Sequence, residues 1–147
     1  LASQTFDVEL DAVSHVGLPL AEEIVDYADA GNELVVATAS DGAFARVIFN
    51  PAEVIGQKLA APAEAFETVA SRVDGGVELK VTATSYVRDL FCMADKIDAK
   101  ASVDAGMVSL LPGESVTLRI DTGSDDDPQS FAAANVLRSA NDLKREW

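Results

Sequence analysis

Between Val77 and Thr84 the chain alternates without a slip: Val77, Leu79, Val81 and Ala83 are apolar, while Glu78, Lys80 and Thr82 are polar. A period of two sends successive side chains to opposite faces, which fits a half-buried strand rather than an amphipathic helix. Asp74-Gly75-Gly76 is tight-turn chemistry, and Phe66 to Val73 is the strand candidate before it. Tyr86 to Met93 is more apolar than its neighbours, as a central strand is. Ser115 to Asp121 alternates again through Val116, Leu118 and Ile120.

Strand signals continue upstream. Thr5 to Leu10 puts Phe6, Val8 and Leu10 on one face, and Ala12 to Leu18 continues that strand or pairs with it. Leu18 to Glu23 breaks at Pro19, which has no N–H to give a central ladder. Ala30-Gly31-Asn32 is a turn, Glu33 to Ala39 a β-rich run, and Ser40-Asp41-Gly42 leads into Ala43 to Asn50. Leu34, Val36 and Thr38 share one face there, and Val47 and Phe49 another. Pro51 to Pro62, bounded by prolines and holding Gly56, reads as a crossing between sheets.

Short strands, no βαβ spacing and no solenoid repeat predict an all-β chain, an immunoglobulin-like antiparallel β-sandwich over residues 1–122. Residues 1–32 either help complete it or close a preceding domain. From Gly123 the composition changes. Ser124 to Pro128 reads as a polar linker, and residues 123–147 as that linker plus a short C-terminal amphipathic helix. Ser130 is its candidate cap, and Val136, Ala140, Leu143 and Trp147 form a stripe. Arg138, Lys144 and Arg145 lie toward its carboxy end, where the helix dipole favours cations.

Composition narrows the function classes. A hydrophobic share of 48% supports a core and argues against disorder. No apolar run approaches the roughly 20 residues that cross a bilayer, so no membrane role is expected. Leu1 to Thr5 has neither basic residues nor an apolar stretch of the secretory kind. Without an initiator methionine, the start reads as an excised or processed chain. The net charge of −14, from 25 acidic and 11 basic residues, repels phosphate backbones, so no nucleic-acid partner is expected.

Cys92 is the single cysteine, which rules out an internal disulfide and fits a cytoplasmic location. Its setting, Leu90-Phe91-Cys92-Met93, is that of a small hydrophobe rather than a nucleophile, since the single histidine, His15, is distant in sequence. One histidine makes no zinc site. Asp125-Asp126-Asp127 lacks the alternate spacing, glycine and distal glutamate of a calcium loop, and reads as solvated linker. No cofactor or metal is expected. Retaining glycosidases need two carboxyls about 5–5.5 Å apart; Glu22-Glu23 in a proline-flanked loop and Asp125 to Asp127 in a linker are poor candidates, so no catalytic residue is assigned. Aromatics are 6% of the chain, and most phenylalanines fall in strand patterns and read as core, leaving Tyr27 and Trp147 as candidate sugar platforms.

Pro112-Gly113 has the signature of a type II turn: proline fixes φ at the second position and glycine takes positive φ at the third. Arg88 and Asp89, neighbours on one strand, should point to opposite faces and not pair.

Tyr86-Val87-Arg88-Asp89-Leu90, Val103-Asp104, Leu110-Leu111-Pro112-Gly113-Glu114 and the ending Val136 to Leu143 occur in an order that resembles the C-terminal immunoglobulin-like domain of β-mannosidase-type family 2 glycoside hydrolases. The likeness runs from about Leu34 to Leu143 and is best from Val77 onward. Where related domains often carry Asp-Asn, this chain has Asp104-Ala105. The resemblance implies a non-catalytic domain that supports a catalytic barrel carrying two glutamates. Its partners would be the other domains of that parent enzyme, with at most a weak glycan contact. β-Mannosidase, β-galactosidase and exo-β-glucosaminidase activities all fall within the likeness. An independent carbohydrate-binding or adhesion sandwich is the alternative expectation.

Overall fold

The computed structural model describes residues 2–9 and 11–143. The chain divides into two compact units, Leu1–Gln57 and Lys58–Trp147. Among the described residues, no helix is long and apolar enough to cross a membrane.

In the first unit a one-turn helix, α1 (Glu22–Val25), precedes two short antiparallel strands, β1 (Val35–Ala37) and β2 (Val47–Phe49). Val35 faces Phe49, Val36 faces Ile48 and Ala37 faces Val47. Val36 therefore lies on the face opposite Val47 and Phe49, as the alternation required. The Asp41-Gly42 turn holds: the Gly42 N–H donates to Ala39 O at 3.2 Å and the Ala43 N–H to Asp41 Oδ1 at 2.9 Å. The strand expected from Thr5 to Leu10 is not formed over residues 5–9, and Leu10 lies outside the described residues. Alternation makes a strand only where a neighbouring strand takes up its amides. Instead the Gln4 side chain fastens this stretch, accepting from the Ala21 N–H at 2.9 Å and donating to Pro19 O at 3.5 Å.

The second unit begins with α2 (Pro62–Ala65), whose proline occupies a first-turn position where no N–H is needed. Seven strands follow: β3 (Phe66–Val73), β4 (Gly76–Ala83), β5 (Val87–Cys92), β6 (Ser102–Val103), β7 (Val108–Leu110), β8 (Ser115–Asp121) and β9 (Leu137–Arg138). They form two antiparallel sheets, in the orders β3-β4-β8-β6 and β7-β5-β9. Every connection after β4 changes sheet, which laces the two layers together.

One apolar cluster fills the space between the layers and joins residues of both. Val77, Leu79, Val81 and Ala83 from β4 meet Val87 and Leu90 from β5, Leu118 and Ile120 from β8, and Leu110 from β7. Each fully buried valine or leucine contributes about 1.5–3 kcal/mol relative to an exposed one. The protein is thus an all-β sandwich, with β4 and β5 each flanked on both sides in its own sheet.

The sequence beyond Gly123 behaves differently from expectation. No α-helix forms between Ser130 and Leu143. The chain makes a 3-10 turn at Pro128–Ala132, joins β5 as β9, and makes a second 3-10 turn at Ala140–Leu143, where the described residues stop. The cause lies in consecutive apolar residues. Phe131, Val136 and Leu137 are all buried, and an α-helix would turn Val136 and Leu137 about 100° apart on its surface. An extended segment lets the Val136 carbonyl accept from the Met93 N–H at 2.8 Å while Leu137 enters the core. Lys144, Arg145 and Trp147 lie outside the described residues.

Ser124 to Asp127, expected as free linker, is tied down. The Arg72 guanidinium donates to Ser124 O at 2.7 Å and to Asp126 O, and Asp127 Oδ1 caps the following 3-10 turn by accepting from the Gln129 N–H at 3.0 Å.

Candidate functional site

The most unusual backbone of the second unit lies along the β5–β7 edge. Val87 faces Leu110 and Leu90 faces Val108, so Arg88 and Asp89 together oppose Ser109 alone. This is a β-bulge, in which one strand carries an extra residue. Asp89 absorbs the irregularity at φ 54°, a left-handed conformation that aspartate tolerates better than most residues. The burial pattern of β5 records it: Val87 and Leu90, three apart rather than two, are the buried positions.

The bulge overturns the expectation that Arg88 and Asp89 diverge. The Arg88 Nε donates to Asp89 Oδ2 at 3.3 Å, and the Asp89 N–H donates to Ser109 Oγ at 3.1 Å. Met107, at the start of the same edge, also has positive φ, 56°, and is exposed. The bulged edge therefore brings a guanidinium, a carboxylate and a hydroxyl together as a polar lip. Such a set can bind or orient a polar group. It contains a single carboxylate, where retaining glycoside hydrolysis calls for two.

Beneath the lip sits a residue that sequence reasoning passed over. Asn141 is completely buried, and its amide is used in full view of two other segments. Its Oδ1 accepts from the Arg88 N–H at 3.0 Å, and its Nδ2 donates to Tyr86 O and Ala60 O, each at 3.0 Å. The surrounding turn is built by Ser139 and Asp142, whose spacing is a capping signature. The Ser139 N–H donates to Asp142 Oδ2 at 2.7 Å, and the Asp142 N–H to Ser139 O at 3.1 Å. Arg138 completes the corner with an ion pair to Asp142 at 3.2 Å. That Ser-x-x-Asp spacing was the available signal.

The Leu-Pro-Gly-Glu turn forms as expected. Gly113 has φ 86°, and the Glu114 N–H donates to Leu111 O at 3.0 Å. Glu114 adds a second closure, its Oε2 accepting from the Leu111 N–H at 2.8 Å. The turn docks on the end of β4, where the Gly113 N–H meets Ala83 O and the Ala83 N–H meets Glu114 O, both at 2.8 Å. Asp104 likewise serves the scaffold, accepting from the Arg119 N–H at 2.9 Å.

The other candidates remain scattered. Among the described residues, no group of three or more His, Cys, Asp or Glu side chains could hold a metal ion. His15 and Glu22-Glu23 are exposed in the first unit. Burial, and secondarily the Asp95 carboxylate, push the Cys92 thiol up to about 11, which makes it a poor nucleophile. The phenylalanines depart from their expected core role: only Phe131 is fully buried, while Phe44 and Phe49 are exposed. Tyr27 is half-buried, and Trp147 lies outside the described residues.

Fold and geometry together define a β-sandwich whose polar residues mostly fasten its own backbone. No family model matches the chain, and no curated protein matches it.

Proposed function

We propose that the chain is a non-catalytic, immunoglobulin-like accessory domain from the C-terminal end of a β-mannosidase-like, or β-galactosidase-like, family 2 retaining glycoside hydrolase. In that parent it supports the catalytic barrel, which carries the two carboxylates. The observation that carries the reading is the junction at Asn141. Tyr86–Leu90 and Val136–Leu143 are two of the stretches in which the chain resembles those enzymes, and Asn141 bonds one to the other through Arg88 N and Tyr86 O. Leu110–Glu114, a third, closes onto β4. A likeness concentrated in residues that clamp strands together is the likeness of a supporting part, whose parent keeps its chemistry elsewhere. A lone, half-buried cysteine suits a reducing compartment, so the reading includes a cytoplasmic enzyme.

The test is the coding sequence upstream together with an assay. The upstream sequence should read through alternating β and α segments with a pair of glutamates. The purified chain should leave aryl β-mannoside and aryl β-galactoside intact. Turnover by the chain alone, or an upstream sequence without a barrel, would overturn the proposal. Tight, specific glycan binding in calorimetry would transfer it to an independent carbohydrate-binding or adhesion module.

A further inference from the structure

The first unit has a surface unlike the second. Eleven of its large apolar side chains are exposed, Phe44, Val47, Phe49 and Ile55 among them, against three in the rest of the described chain. None of the described residues from 2 to 57 is buried. Val47 and Phe49, two apart on β2, share one exposed face, and adjacent apolar side chains on an open sheet face are what a protein partner covers. Acidic residues interleave with it in the chain, as in Asp7-Val8-Glu9 and Glu22-Glu23-Ile24-Val25-Asp26. Ten acids against Arg46 alone give residues 1–57 a net charge of −9, of the −14 carried by the whole chain.

We propose that this unit is a docking surface for a basic protein face with an apolar centre. Charge selects that occupant. A second copy would bring two surfaces of −9 together. Anionic lipid headgroups and nucleic-acid phosphates carry the same sign as the unit and are repelled. A face with lysine or arginine around an apolar centre meets both demands, covering the side of the β1–β2 sheet that carries Val47 and Phe49 and answering the acids interleaved along the chain. This inference is independent of the glycosidase reading, since it rests on the charge and the exposed side chains of residues 1–57 alone.

The experiment is calorimetric titration of the full chain with two synthetic peptides of equal positive charge. One is an amphipathic leucine–lysine helix, and the other a lysine–serine sequence without an apolar face. The amphipathic peptide should bind at least tenfold more tightly. Replacing Val47→Ser and Phe49→Ser together should weaken it about tenfold and leave the lysine–serine peptide unchanged. Replacing Glu22→Lys, Glu23→Lys and Asp26→Lys, with the apolar residues intact, should weaken both peptides. Far-ultraviolet circular dichroism of each variant confirms an intact fold. Equal affinity for the two peptides, an apolar double variant that binds like the parent, dimerisation in sedimentation velocity, or binding to anionic vesicles would each overturn the proposal.

Discussion

Arg88 and Asp89 are adjacent on one strand, yet the Arg88 Nε and Asp89 Oδ2 lie 3.3 Å apart. Adjacent side chains of a regular strand diverge, so this contact exists because Asp89 stands at φ 54° in a bulge opposite Ser109. Their side chains are 20% and 36% exposed, and such a pair adds at most about 1 kcal/mol. The backbone, not the ion pair, is the costly element.

Position 89 should therefore sort substitutions by backbone tolerance. Asp89→Asn keeps a residue at home in the left-handed region and should stay within about 0.5 kcal/mol of the parent. Asp89→Val places a β-branched residue there and should cost about 2 kcal/mol. Urea midpoints of the two variants make the comparison, and a valine variant as stable as the asparagine one would mean that the strand is regular.

Gly76 and Gly113 should respond very differently to alanine. A Cβ on Gly76, at the start of β4, would sit 2.0 Å from Ile120 O, an approach that β4 and β8 can relieve only by separating. Gly76→Ala should cost about 3 kcal/mol. Gly113 has open space around it, and only its φ of 86° resists a side chain, so Gly113→Ala should cost about 1 kcal/mol. Thermal unfolding of both variants reads the difference, and equal losses would contradict the close β4–β8 approach.

Cys92 should be chemically quiet in the folded protein. Its thiol is moved from 9.0 to about 11, chiefly by burial, which lowers the thiolate fraction near neutral pH about a hundredfold. The neutral thiol is the form that folding favours, so this contribution to stability is complete below 9.0 and lost as pH rises through about 11. Iodoacetamide should alkylate the native chain roughly a hundredfold more slowly than the urea-unfolded chain at the same mildly alkaline pH. Comparable rates would place the thiol in solvent.

Asp98 carries an acid-sensitive tie between the loop after β5 and the end of β8. Its carboxyl is held below the usual 3.8, first by the Lys100 N–H, then by the Thr122 hydroxyl and the Gly123 N–H. A lowered value favours the charged form in the folded state. The stabilisation is therefore complete above 3.8 and disappears as pH falls through the lower folded value. The melting temperature of Asp98→Asn should fall below the parent's at neutral pH and converge with it in acid. A difference that persists in acid would show that charge is not the cause.

The sandwich was legible where burial imposes a simple period. β4 and β8 declared themselves because each alternates cleanly, and the Pro112-Gly113 turn because few residue pairs fit its dihedrals. β5 was legible as a strand, while its bulge was not, since an extra residue leaves the apolar composition unchanged. The region beyond Ser130 misled because Val136, Ala140 and Leu143 mimic a helical stripe, whereas strand pairing with Cys92 decides the conformation of Leu137. Tertiary pairing of that kind leaves no local periodicity. The same limit hid Asn141, whose three partners come from distant parts of the second unit.

Asn141 makes the sharpest demand on the scaffold. Removing its amide leaves the Arg88 N–H and the Tyr86 and Ala60 carbonyls without the partner each meets at 3.0 Å, at a site closed to solvent. An unpaired buried polar group costs about 1–3 kcal/mol, and partial relaxation keeps the total from being a simple sum, so Asn141→Ala should destabilise by about 3 kcal/mol. Asn141→Leu restores apolar volume without restoring a hydrogen bond. It should lose a similar amount, which separates polar satisfaction from packing. Amide exchange supplies the local readout: the Arg88 N–H should exchange faster than in the parent by more than the global loss of stability accounts for. A leucine variant as stable as the parent would show that the buried amide merely fills space, and the join between β5 and the carboxy-terminal turn would then rest on β9 pairing alone.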